Sequence, residues 1–331
     1  MSNLSDLLPA GASGKKAEFT ASGAISTGDT VILNTDGTVS VVAAVAESAG
    51  TPTTFESGNT QHISACYMTE NDKVLIAYSD AGNSNYGTAV VGTVSGTSIT
   101  FGTPVVYWSA FTEYVSCAYS PPSDRVCVVF KAQTWGRNAL LSVSGTTITV
   151  EHTENFYQAN AGRMSVCFHA GNERFVVAVQ GNGNSGYGYL YAATGNGTGS
   201  LNWGGASNFN AGNTLQPEVD YDPDEDVVVV FYRDAGNSNY GNARAATLSG
   251  TSFTYGTEIT FESAQTDYPT AAYDTDTNQF VVAYRDAGDS FYPYVITIKA
   301  SGTALTAGTA VRIATARSDN YGCVYDPVNQ R

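Results

Sequence analysis

Positive charge is scarce in this sequence: 15 Lys and Arg stand against 30 Asp and Glu, a formal net charge of −15 over 331 residues. Nucleic acid and anionic membrane surfaces both need clustered cations, so neither is an expected partner. No apolar run approaches the roughly 20 residues of a membrane helix. The first ten residues carry no cationic stretch ahead of a long apolar one, so no secretory signal is read there. Cysteine is sparse too, at 66, 117, 127, 167 and 323. There is no C-x-x-C pair and the count is odd, which argues against a disulfide framework. All but Cys127 fall one or two residues before a recurring aromatic and read as small core hydrophobes of a chain folded in a reducing compartment. The three histidines, His62, His152 and His169, form no H-x-H or H-x-x-x-H pair, so zinc is not expected. Nothing resembles a nucleophile elbow. No cofactor is expected, and no catalytic residue stands out.

What is plentiful is apolar residues, 42%, and glycine, 34 of 331. That excludes wholesale disorder and permits a large core. Above all there is repetition. The phrase Asp80-Ala-Gly-Asn-Ser-Asn-Tyr-Gly87 returns unchanged at 234–241 and as Asp-Ala-Gly-Asp-Ser-Phe-Tyr at 286–292. Ser-Gly-Thr begins at Ser95, Ser144, Ser249 and Ser301. An aromatic recurs at Tyr67, Tyr119, Phe168, Tyr221, Tyr273 and Tyr325, with spacings of 52, 49, 53, 52 and 52. Three independent anchors agree on a period near 52.

Each unit reads as four strands. In the fourth, a short segment ends at Tyr221 and the turn Asp222-Pro-Asp-Glu-Asp226 follows. Val227-Val-Val-Val-Phe-Tyr232 is then a continuous β-branched run of the kind buried on both faces. The Gly, Asn and Ser of residues 234–241 suit a tight turn. A third strand over 242–248 leads through Ser249-Gly250 to a fourth over 252–260. Four antiparallel strands per roughly 50 residues is the repeat of a β-propeller blade. The sequence therefore predicts an all-β chain: five complete blades over about residues 55–317, and an orphan strand near 320–325 opening a sixth unit. Buried second strands are expected at 74–78, 126–130, 175–179, 227–232 and 280–284. Blade two shortens its second loop, Lys131 to Gly136, and blade three replaces Ser-Gly-Thr with a stretch from Gly195. Residues 1–16 read as a polar arm, 17–50 as a small β-module and linker (the linker at 47–52), and 51–331 as the propeller repeats.

Gly181-Asn-Gly-Asn-Ser-Gly186 matches G-x-G-x-x-G, but a strand follows it instead of a helix, so it reads as a hairpin loop and not a nucleotide site. The acidic turns at Asp222 and Asp274 have alternating oxygens but lack the Gly and Glu of a calcium loop. The repeated loop resembles the Asp-box of sialidase-like propellers at Asp80 and Gly82, with Ser84 in place of Thr. It departs at Tyr78, where a Ser is usual, and its aromatic, Tyr86, comes one residue late. Sialidase chemistry needs an arginine triad and a Tyr–Glu pair. Arg233 and Arg285 recur at one blade position, but their counterparts are Ser79, Lys131 and Gln180.

The opening Met-Ser-Asn-Leu-Ser-Asp-Leu-Leu-Pro-Ala-Gly, with Phe19-Thr-Ala-Ser-Gly23 and Gly28-Asp-Thr-Val-Ile-Leu-Asn-Thr-Asp-Gly37, resembles the start of virion appendage proteins of marine tailed bacteriophages. The resemblance covers about the first 45 residues. It implies a non-enzymatic structural component of a phage particle, similar to a tail fibre and used for host-surface or glycan recognition. It also implies residence in the virion after assembly in the host cytoplasm. The arm before Ala17 is expected to be ordered by other virion proteins, and a homo-oligomer is expected. The competing classes are a sialidase-like or other glycan-active enzyme and a bacterial lectin or adhesin. The candidate binding face is the rim of loops between second and third strands. It gathers Asp80, Asp234 and Asp286, the cations Arg233 and Arg285, and the aromatics Tyr86, Trp135, Tyr187, Tyr240 and Tyr292. Trp108, Tyr114, Tyr157 and Tyr268 are added from the inter-blade links. Carboxylates beside flat rings suit sugar hydroxyls and apolar sugar faces. A purely structural alternative has Asp capping the hairpin, Tyr packing between blades and Arg pairing within the loop.

Overall fold

The computed structural model describes residues 20–25, 31–34, 38–41, 50–195, 199–317 and 322–325. It divides into two compact units, 1–50 and 51–331. In the first, Val31–Leu33 and Val39–Val41 form an antiparallel hairpin, and the Ser22 N–H donates to the Val39 carbonyl (2.8 Å). The arm at 1–16 lies outside the described residues.

The second unit is a β-propeller of five blades. Inner strands are Thr60–Met68, residues 112–120 of the long strand Val105–Ser120, Ala161–His169, Thr214–Asp222 and Thr266–Asp274. Second strands are Lys73–Asp80, Arg125–Ala132, Arg174–Gly181, Val227–Asp234 and Gln279–Asp286. Their centres are buried, as continuous apolar runs with neighbours on both faces must be. Third strands begin at Tyr86, Trp135, Tyr187, Tyr240 and Tyr292, and every pairing within a blade is antiparallel.

The outer strand differs from its expected form. Blade four carries two pieces, Ser252–Tyr255 and Ile259–Glu262, both paired with Tyr240–Ser249. The break is at Gly256, and its cause lies in the next blade. A Cβ on Gly256 would stand 2.1 Å from the Thr303 carbonyl oxygen. Gly102 and Gly204 meet Thr146 and Thr251 in the same way. The Thr after the Ser-Gly turns at Ser144, Ser249 and Ser301 thus packs against the glycine that interrupts a preceding blade's outer strand.

Adjacent blades are also latched along their inner strands. Ser64 Oγ accepts from the Cys117 N–H (3.1 Å), Ser116 Oγ from Val166 (3.2 Å) and Ser165 Oγ from Val219 (3.3 Å). Apolar side chains fill the space between, as where Val176 and Leu190 of blade three meet Val228 and Val230 of blade four.

One flank lacks that cover. Tyr67 of blade one is 54% exposed where its counterpart Tyr119 is 8% exposed, and Val94 is 50% exposed where Leu248 is 7%. Part of the flank is nevertheless capped. Gly50-Thr-Pro-Thr-Thr-Phe-Glu-Ser57 repeats Gly256-Thr-Glu-Ile-Thr-Phe-Glu-Ser263, the end of an outer strand. Phe55 packs edge-on against Tyr78 (5.3 Å), as Phe261 does against Tyr284 (5.5 Å). Tyr78 Oη donates to Glu56 Oε2 (3.2 Å), as Tyr284 Oη does to Glu262 Oε2 (2.9 Å). Residues 50–52, expected as linker, therefore lead into an outer-strand ending that serves blade one. At the other end, Gly322–Tyr325 is not a strand. No second strand of a sixth unit pairs with it among the described residues; Cys323 reaches Ala283, and Tyr325 reaches Thr275 and Asp274, all of blade five.

Candidate functional site

The loops between second and third strands lie where the sequence places them, but their carboxylates turn inward. Asp80 Oδ1 accepts from the Asn83 N–H (3.1 Å), Asp234 Oδ1 from Gly236 (2.8 Å) and Asp286 Oδ1 from Gly288 (2.7 Å). All three side chains are buried. Tyr86, Trp135, Tyr187, Tyr240 and Tyr292 are half-buried. Arg137 lies over Trp108 and Trp135 (4.3 and 5.3 Å), and Arg312 over Tyr292 (5.2 Å). Neither Arg233 nor Arg285 pairs with its loop's Asp. Both meet Asp267 on the inner strand of blade five: Arg233 through Nη1, and Arg285 through Nη2 and Nε (2.6 and 3.1 Å).

The polar side chains that face open space sit further in. Each inner strand carries a bulge near its start, between Gln61 and Ser64, Glu113 and Ser116, Ala161 and Met164, Leu215 and Glu218, and Asp267 and Thr270. A bulge adds one residue and re-aims a side chain. Four of the bulge residues, His62, Tyr114, Gln216 and Tyr268, have left-handed φ between 50° and 54°, uncommon for residues other than glycine. With Arg163 they line one cavity of about 690 Å³ at the mouth of the central channel. The inner strand starts beside the second strand's end, Thr60 pairing with Asp80, so this mouth opens on the face of the candidate loops.

The ring is internally ordered. The His62 and Tyr114 rings meet edge-on at 5.2 Å. Arg163 lies 5.6 Å from the Tyr114 centroid and 5.1 Å from that of Tyr268. Gln216 Oε1 accepts from the Tyr268 N–H (2.7 Å). Burial holds His62 below the usual imidazole range, with Glu113 acting the other way. These five residues stand five positions before the recurring aromatic of each unit. Tyr114 and Tyr268 are among the aromatics expected from the inter-blade links; for His62, Arg163 and Gln216 that fixed offset was the available signal, and their differing chemistry hid it.

Deeper in the channel Glu218 takes the place held by the latch serines. Burial pushes its carboxyl up to about 8 against a hydrogen bond from Ser165, and burial also raises Asp220 to about 7. In the acidic turns, Asp222 Oδ1 is spent on the N–H groups of Asp224 (2.9 Å) and Glu225 (3.0 Å).

No protein-family model matches the chain, and no curated protein matches it. Solved structures do. A protein from Lactobacillus plantarum superposes with a TM-score of 0.55 at 14% identity, covering 89% of this chain and 81% of that one. The SapL1 lectin, solved with alpha methyl fucoside, gives 0.50 at 14% identity over 82% and 86%. Trypanosoma rangeli sialidase, solved with the inhibitor DANA, gives 0.51 at 8% identity over 91% of this chain and 56% of that one. At such identities the likeness is one of fold, and the fold serves binding proteins and enzymes alike.

Proposed function

We propose that this chain is a non-catalytic carbohydrate-recognition propeller whose binding site is the channel mouth. One observation carries the reading: five equivalent bulges deliver His62, Tyr114, Arg163, Gln216 and Tyr268 to a single cavity of ligand size. Aromatic faces beside amide, imidazole and guanidinium groups supply what sugar recognition requires. The hairpin loops, whose acids are committed to their own turns, stand outside the site. Carriage on a phage particle through residues 1–16 is part of the proposal and rests on the N-terminal resemblance alone; a proteome of purified particles tests it.

The binding test is a glycan array probed with the wild type, Tyr114→Gly and Tyr268→Gly. Glycine removes the ring while accommodating the positive φ. A loss of tenfold or more in each variant, with melting cooperative and near wild type, supports the mouth. Unchanged binding in both contradicts it. Release of new reducing ends from a bound glycan would replace recognition with hydrolysis.

A further inference from the structure

The charge at the mouth is at odds with the charge of the chain. Overall there are twice as many acids as Lys and Arg, with a net charge of −15. Around Tyr114 and Tyr268 the balance reverses. Arg163 lies against both rings, Arg285 is 5.1 Å from the Tyr268 centroid and Lys131 is 5.5 Å from that of Tyr114. Arg233 joins Arg285 on Asp267. Among the described residues, the ion pairs of these cations are made with two acids. Glu113 is taken by Lys131 (3.1 Å), and Asp267 is shared by two arginines.

Arg163 has no carboxylate within ion-pair distance among the described residues, and it is half-buried in the cavity wall. A half-sheltered guanidinium with no carboxylate partner offers a bound anion paired, charge-assisted hydrogen bonds. The two flanking rings attract the cation through its face, and Arg163 lines the cavity, where an anion can reach its N–H groups. Glu218 also lines the cavity, and burial pushes its carboxyl up to about 8, which weakens it as a counter-charge to the arginine.

We infer that the mouth takes an anionic saccharide, a sugar bearing a carboxylate or a sulfate, whose charged group is held by Arg163. This rests on the recognition reading above and narrows it to a ligand class. The net negative charge of the chain does not oppose a small ligand at physiological salt, where screening acts over about 8 Å.

The experiment is a titration of the full chain with a tri-uronate, a sulfated trisaccharide and neutral maltotriose, each at 0.05 and 0.5 M NaCl, for the wild type, Arg163→Met and Arg163→Lys. One acidic probe should bind at least tenfold more tightly than maltotriose and weaken with salt. Arg163→Met should lose that preference, while Arg163→Lys, which keeps the charge, should retain most of it. Which acidic probe binds separates carboxylate from sulfate. Equal binding of maltotriose, salt-independent binding, or full binding by Arg163→Met overturns the inference. If Arg163→Met fails to melt cooperatively, Arg163→Lys and the wild-type salt series decide. Array hits that are all neutral and lost in Tyr114→Gly overturn the anion while leaving recognition standing. An array with no hits at all overturns recognition itself.

Discussion

The hairpin loops and the channel mouth open on the same face of the propeller and are built from similar residues, yet they use them differently. In the loops, Asp80, Asp234 and Asp286 are buried and accept from backbone N–H groups two or three positions along. Their arginines are drawn off to Asp267. At the mouth, strained bulges hold aromatic and polar groups around open space, and Arg163 stands without an acid among the described residues. A repeated, polar, aromatic-rich motif is thus no guide by itself to a binding site. What separates the two regions is whether hydrogen-bonding capacity is already spent.

Substitutions sharpen the contrast. The largest effect on stability is expected at Asp267, which joins the two regions. Asp267→Ala takes the shared carboxylate from half-buried Arg233 and buried Arg285 and should cost about 3–5 kcal/mol in chemical denaturation. A loss below about 1 kcal/mol would mean that solvent already compensates these arginines.

The pH dependence comes next. The folded protein holds protons on Glu218 and Asp220 up to about 8 and 7, whereas an unfolded chain releases them near the ordinary carboxyl range. The folded state therefore binds more protons between about pH 4 and 8, and stability falls as pH rises through that window. Glu218→Gln should flatten the fall, narrowing the difference in Tm between pH 5 and pH 8.5 by about 2–4 °C or more. An unchanged slope would place the ionisation elsewhere.

A smaller effect is expected in the loops. Asp234→Ala removes one acceptor from a buried turn and should cost about 1–2 kcal/mol in thermal melts while leaving saccharide binding within twofold. At the mouth the pattern inverts. Tyr114→Gly and Tyr268→Gly exchange a half-buried ring for relief of backbone strain and should change stability by less than about 1 kcal/mol, although binding falls tenfold. Loss of binding in Asp234→Ala with retention in both mouth variants would reverse the assignment.

The fold was legible because three anchors recur with one period, and each has a local cause. The aromatic ends the inner strand, the Asp-rich phrase turns the second hairpin and Ser-Gly turns the third. Buried second strands such as Val227–Asp234 announce themselves by uninterrupted β-branched runs. The break in the outer strand was not legible, because Gly256 answers to Thr303 in the next blade. The partner of Arg233 was hidden for a similar reason, since Asp267 lies 34 residues on and across a blade boundary. The Gly50–Ser57 copy of an outer-strand ending was present in the sequence, but without the strand before it no complete unit marked it. At the mouth Tyr114 and Tyr268 were legible as inter-blade aromatics, but His62, Arg163 and Gln216 escaped because the five share a position and not a residue type. Motif reading searches for identity, whereas a bulge imposes only direction.

The central claim is that ligand enters the channel mouth, and a crystal structure with the tightest-binding saccharide from the array tests it most directly. Sugar density is expected inside the cavity, in contact with Tyr114 or Tyr268 and with a polar group on Arg163. Density seated on the outer loops beside Trp135 or Tyr240, with the mouth holding only water, would contradict it.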